Sequence, residues 1–203
     1  MRLAGQKSWQ IREDRWIQHF DWALWIRAAE RIDAPAGGLV PGPLVIDALP
    51  APSIGLNRAM LAEEWVSWWW TLCALPEWSP EDGRPPPALA YSGPEFTGLS
   101  DQPLLRDVLR RRWPEAHEWH SARKAAGVRE FVRGRRPEAT TVVADVERAI
   151  GRRAKPFVLS IDVLPVDDAE VRVVSETRFL VPEGVRDGAD WPTVLRGLVE
   201  PLA

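Results

Sequence analysis

The chain has 203 residues, 45% of them hydrophobic and 27% charged, with a net charge of −3. That length accommodates one large domain or two small ones packed together, and that balance excludes an intrinsically disordered chain. The single cysteine, Cys73, rules out an internal disulfide, and the most apolar run, Trp65 to Leu75, is about half of the ~20 residues that a membrane-spanning helix needs. The first ten residues carry no apolar stretch with a cleavage site, so a soluble cytoplasmic protein without membrane insertion is expected. Lysine occurs only at Lys7, Lys124 and Lys155, while arginine, alanine, proline and tryptophan are plentiful, a usage that suggests a high-GC bacterial genome.

In chain order, Arg15 to Arg31 reads as a helix behind an Asp14 N-cap, with Trp16, Phe20, Leu24 and Ala28 at helical spacing. Residues 34–55 are rich in proline and glycine, and enclose a short apolar run, Pro43 to Leu49, that suits a buried or edge strand. A second helix is expected from Asn57, with Leu61, Trp65, Trp68, Trp69 and Leu72 on one face. Residues 76–103 form a Pro-rich irregular connector. Helical patterning resumes at Leu104, meets a boundary or kink at Pro114, and runs on towards Phe131. Pro137 is expected to open a further helix carrying Val142, Val143, Val146 and Ile150 and ending near Gly151.

Alternation at Phe157, Leu159, Ile161 and Val163, and again at Val171, Val173, Phe179 and Val181, predicts two strands joined as a hairpin through residues 165–169, with Asp167 and Asp168 at the tip. Asp190 should cap a last helix bearing Val194, Leu195, Leu198 and Val199. The fold class is therefore α+β: a Trp-rich helical body with a short strand, then helix, antiparallel β-hairpin and C-terminal helix. Residues 1–100 make the Trp-rich helical region and its Pro-rich connector, and 101–203 the basic helices, hairpin and last helix, the two packed as one compact unit.

The chemistry is sparse. Residues 44–50 and 159–165 share the pattern Leu-x-Ile-Asp-x-Leu-Pro, so a duplication would place Asp47 and Asp162 on neighbouring strands as coupled carboxylates; short matches of this kind are common, and two ordinary strand ends of similar composition are the favoured reading. His117 and His120 lie three residues apart, which puts both rings on one side of a helix, but no third ligand is in view and no metal is expected. No serine sits in a Gly-x-Ser-x-Gly elbow, and no Gly-rich phosphate loop occurs, so neither a catalytic set nor a cofactor is expected.

Charge is segregated. Residues 101–156 hold fourteen basic and eight acidic side chains, and arginines between Arg106 and Arg136 could form a nucleic-acid face, with three helices and a hairpin in winged-helix order. An acidic hairpin tip and an acidic chain speak against that reading. The run Trp68, Trp69, Trp70 is sharper, because successive helical positions turn by about 100° and three indoles cannot all enter one core. Tryptophan and arginine dominate interface hot spots. The expected role is thus a non-catalytic adaptor or complex subunit that binds a protein partner through Trp68, Trp69, Trp70, Arg110, Arg111 and Arg112. The alternatives are a nucleic-acid-binding component using helices 106–136, and a hydrolase-like enzyme using Asp47 or Asp162 with His117 and His120.

Overall fold

The computed structural model describes residues 9–76, 86–133 and 138–203, with the side chains of all of these except 130–133 and 138. Among them the fold is α+β, with six helices and one four-stranded mixed sheet. In chain order the elements are β1 (Trp9–Asp14), α1 (Gln18–Ala29), α2 (Arg58–Ala74), α3 (Pro103–Arg133), α4 (Glu138–Ile150), β2 (Phe157–Leu164), β3 (Arg172–Ser175), β4 (Arg178–Pro182), α5 (Glu183–Arg186) and α6 (Trp191–Val199). Two 3-10 turns, Pro87–Tyr91 and Thr97–Leu99, lie in the Pro-rich connector.

The strand order is β1-β2-β4-β3, with β1 and β4 both parallel to β2 and β3 antiparallel to β4 at the edge. Strand residues alternate between faces, so the odd-numbered side chains of β2 and β4 share one face and the even-numbered ones the other. The odd face, with Leu159, Ile161, Val163, Phe179 and Val181, packs against Val143 and Val146 of α4 and Trp191, Leu195 and Val199 of α6. The even face contributes Leu164 and Leu180 to a second core built by α1, α2 and α3. Trp22, Trp25, Trp65, Trp68 and Trp69 are buried there, with Trp65 and Trp69 stacked at 5.5 Å between ring centroids. Buried indoles need hydrogen-bond acceptors, and Trp65 Nε1 donates to the Ala23 carbonyl while Trp69 Nε1 donates to that of Leu39, both at 2.8 Å.

Several expectations stand corrected. The N-terminal strand β1 was not expected; it pairs with β2 over six residues and shortens the first helix, which starts at Gln18 behind an Ile17 cap position rather than behind Asp14. Trp16 takes the left-handed conformation (φ 57°) that turns the chain from strand into helix. The short strand at 43–49 is reduced to a single antiparallel bridge between Leu44 and Val166. The antiparallel hairpin exists, but it is β3 with β4 about Glu176 and Thr177, not 157–163 with 171–181. Residues 165–171 instead carry the chain past β4 to the sheet edge, which is why β2 and β4 lie parallel. A bulge between Val173 and Ser175 shifts the register, and Val173, on the edge strand, is 62% exposed. Asp168, expected at an acidic tip, accepts hydrogen bonds from the Gly42 and Glu170 amides and pairs with Arg172.

Other readings hold. Asn57 caps α2, its side chain accepting from the Met60 amide at 3.2 Å. α4 ends where Gly151 adopts φ 70°, whereas α3 runs through Pro114 as one helix, without the boundary expected there. Pro137, as the start of α4, lies outside the described residues. Among the described residues, no helix is long and apolar enough to cross a membrane.

Two buried carboxylates tie the helices together. Asp21 on α1 is 2.7 Å from His120 Nδ1 and 3.1 Å from Arg123 on α3, and Arg123 reaches on to Glu183 of α5 at 2.6 Å. Glu30, fully buried just past α1, accepts from Arg112 at 2.8 Å and from both the amide and the hydroxyl of Ser53, and lies 3.7 Å from Arg58. Burial alone would raise the Glu30 carboxyl, but the bonds from Arg112 and Ser53 outweigh it and hold it below its ordinary value. Removing one partner of a buried pair strands the other's charge, at a cost of about 3–5 kcal/mol. Glu30→Ala should therefore lower the unfolding free energy measured in urea by that amount, seen as a lower midpoint with the slope unchanged; a loss under about 1 kcal/mol would contradict the role given to it.

Candidate functional site

The residues that the sequence singled out separate into two groups. His120 is buried and held by Asp21, whereas His117 stacks on Trp113 at 4.9 Å between ring centroids, so the pair is built into helix packing. No group of three or more metal-ligating side chains occurs among the described residues. Asp47 is exposed on the segment that bridges to Val166, while Asp162 is buried in β2, so the two similar segments do not form equivalent strands. Burial pushes the Cys73 thiol up to about 12, which removes it as a nucleophile at neutral pH.

Of the six expected partner-binding residues, three face inwards. Trp68 and Trp69 are fully buried, and Arg112 is bound to Glu30 and Glu115. Trp70 is 48% exposed, Arg110 is exposed, and Arg111 is exposed while pairing with Asp107 one turn away. The basic face is thinned in the same way, since Arg123 is tied to Asp21 and Glu183, and Arg106 donates to the Glu95 carbonyl. Arg135 and Arg136, with the side chain of Arg133, lie outside the described residues.

A cavity of about 540 Å³ opens on the even face of the sheet, beside the start of α1 and the end of α2. Its floor follows from strand register: Arg12, Ser160 and Arg178 are directly paired across β1, β2 and β4, and Asp14 and Asp162 pair one step further on. Trp16, Ile17 and His19 close one side. Leu75, Pro76 and residues 86–88 form an apolar wall opposite. Arg178 is anchored, with Nε 2.8 Å from Asp162 and one terminal nitrogen donating to the carbonyls of Cys73 and Leu75, where it closes the C-terminal end of α2. Arg15 is likewise engaged by Glu13 and Asp187.

Two polar atoms in this lining have no hydrogen-bond partner among the described residues: Ser160 Oγ and His19 Nε2. Serine, histidine and aspartate thus share one cavity without forming a relay. His19 Nε2 accepts nothing from Ser160, and Asp162 is committed to Arg178, so the nucleophile–base–orienter chain of a hydrolase is not assembled. None of these cavity residues was expected as a site apart from Asp162. A local signal existed for β1, where Trp9 and Ile11 alternate with polar residues, but the cavity itself arises only when residues about 150 positions apart pair in the sheet.

Burial, with the nearby Arg178 charge, pulls the His19 imidazole down to about 4. The ring is therefore neutral at neutral pH. Because its folded pKa lies below the unfolded value of 6.5, the unfolded chain gains a proton first as pH falls, and stability is lost between about 6.5 and about 4. At 1.36 kcal/mol per unit that loss is on the order of 3 kcal/mol. Denaturation at pH 7 and at pH 4.5 should show it in the wild type and show it much reduced in His19→Gln; equal losses in both would contradict it. No family model, curated protein or solved structure matches the chain, so its own residues carry the functional reading.

Proposed function

We propose that this chain is a non-catalytic interaction protein, an adaptor or subunit of a cytoplasmic multiprotein complex, which docks a protein partner through the exposed side of α2 at Trp70. The carrying observation is the contrast on that helix: Trp65, Trp68 and Trp69 are fully buried, whereas Trp70 remains 48% exposed. An indole left half in water forgoes much of the burial that stabilises its neighbours, and tryptophan is the residue most enriched at interface hot spots. The ring is also positioned, since it lies over Gly38, where a Cβ would stand 3.6 Å from Trp70 Cζ2. A side chain already held against a loop loses little rotamer freedom on docking. The exposed cations Arg110 and Arg111 on α3 supply charge of the kind that steers an acidic partner.

The internal use of the other polar residues supports the same reading. An enzyme built on His117, His120 and Asp162 would need those groups free, and they are engaged in packing, in the bond to Asp21 and in the pair with Arg178. The winged-helix order expected from sequence had 157–163 as the first strand of the hairpin, whereas the hairpin is β3 with β4 and β2 lies parallel to β4.

The test is affinity capture from the host with the wild-type chain and with Trp70→Ala. Because about half of the indole is buried, the truncation should cost on the order of 1–2 kcal/mol, and the variant's retained fold is checked by circular dichroism before capture. A partner held by the wild type should be lost by the variant, and the purified pair should bind at least about tenfold more weakly. The same proteins retained at the same affinity by both would overturn the assignment.

A further inference from the structure

The cavity on the even face of the sheet is under-satisfied at its polar end. Ser160 is only 5% exposed, and its Oγ has no partner among the described residues although its backbone amide is bonded to the Thr177 carbonyl at 2.8 Å. His19 Nε2, on the adjoining wall, is buried and equally unpartnered. Eight buried side-chain polar atoms lack a partner among the described residues, and Ser160 Oγ and His19 Nε2 are the two of them that share this lining, where a ligand seated with a small shift of either side chain would pair both.

The first turn of α1 faces the same space. The leading amides of an α-helix have no acceptor within the helix, and the cap position here is Ile17, whose side chain supplies none. The one acidic residue of that turn, Asp21, is directed to His120 and Arg123 on α3. The positive end of a twelve-residue helix is thus left without a counter-charge of its own. Across the floor, Arg12 and Arg178 flank Ser160 in the strand register, with Arg178 paired to Asp162 and Arg15 to Glu13 and Asp187. Leu75 and three prolines make one wall apolar, and Trp16 adds an indole beside Ile17 and His19. A volume of about 540 Å³ lies within the range of metabolite-sized sites.

We propose that this cavity binds a small organic oxyanion, a carboxylate or phosphate monoester, with its charged group at the α1 N-terminus and Ser160 and its apolar body against Trp16 and the proline wall. His19 is neutral at physiological pH, so its Nε2–H tautomer can donate to the ligand without adding charge. Trp70 does not line this space, so the site stands or falls independently of the docking surface on α2.

The experiment is a titration of the isotopically labelled full chain with benzoate, phenyl phosphate and the neutral benzyl alcohol, followed by NMR. At least one oxyanion should shift the amides of Gln18 to Phe20, the His19 ring and the Trp16 indole saturably, and benzyl alcohol should bind about tenfold or more weakly, the usual worth of a charge-assisted hydrogen bond. Two variants locate the charge. Ser160→Ala removes the hydroxyl, and Gln18→Pro removes one helix-terminal amide at a position that tolerates proline, since Ile17 before it is extended with ψ 108°. Each should weaken oxyanion binding by about fivefold to tenfold while the spectrum of the remaining chain is retained, and should leave benzyl alcohol unaffected. If one variant fails to fold, the other decides. Absence of a saturable shift with either oxyanion up to about 10 mM, equal binding of benzyl alcohol, or unchanged affinity in the folded variants would each overturn the proposal.

Discussion

The parallel pairing of β1 with β2 is the constraint on which the rest of the molecule depends. It closes a loop of about 150 residues, for which the length-dependent part of the chain entropy costs roughly 4 kcal/mol. What it gains is a six-residue ladder and two covered faces, since α1, α2 and α3 pack on one side of the sheet and α4 and α6 on the other. The same pairing sets Arg12 and Asp14 opposite Ser160 and Asp162, and it aims the strand into the left-handed turn at Trp16 from which α1 departs. Gly127 of α3 makes room for that turn: a Cβ there would lie 2.3 Å from Trp16 Cζ2, so any larger residue would collide with the indole.

Buried charge then fixes how the helices sit. Asp21 joins α1 to α3 and, through Arg123, to α5, and Glu30 joins the end of α1 to Ser53 and to Arg112 on α3. Apolar contact alone is non-directional, and a Trp-rich core can be filled by more than one arrangement of helices. A carboxylate with its partners fully specified admits one. This division of labour explains why His120 and Arg112, which by residue type could have been site residues, serve the architecture.

Those features were legible in the sequence wherever the signal was local. Asn57 marked the start of α2, the Val142, Val143 and Val146 stripe marked α4, and the turn of 100° per residue required one of Trp68 to Trp70 to leave the core, which Trp70 does. What depended on distant pairing was not legible. β1 is six residues long and its partner lies at the other end of the chain. The β3–β4 hairpin turns through Glu176 and Thr177, without the glycine or asparagine that normally announces such a turn, so residues 171–181 read as one strand. The cavity is the extreme case, because its lining converges from β1, α1, the Pro-rich connector, β2 and β4 and has no contiguous motif.

Function is read from two unlike surfaces: an indole kept half in water on a helix whose other indoles are buried, and a polar corner enclosed by a sheet covered on both faces. Both depend on the sheet being assembled from the two ends of the chain. Amide hydrogen exchange across β1 tests that most directly. Alternate amides of residues 9–14, those directed at β2, should exchange as slowly as the central amides of β2 itself, because both open only when the sheet does. Rapid exchange of every β1 amide while β2 stays protected would contradict the pairing, and with it the account of the cavity.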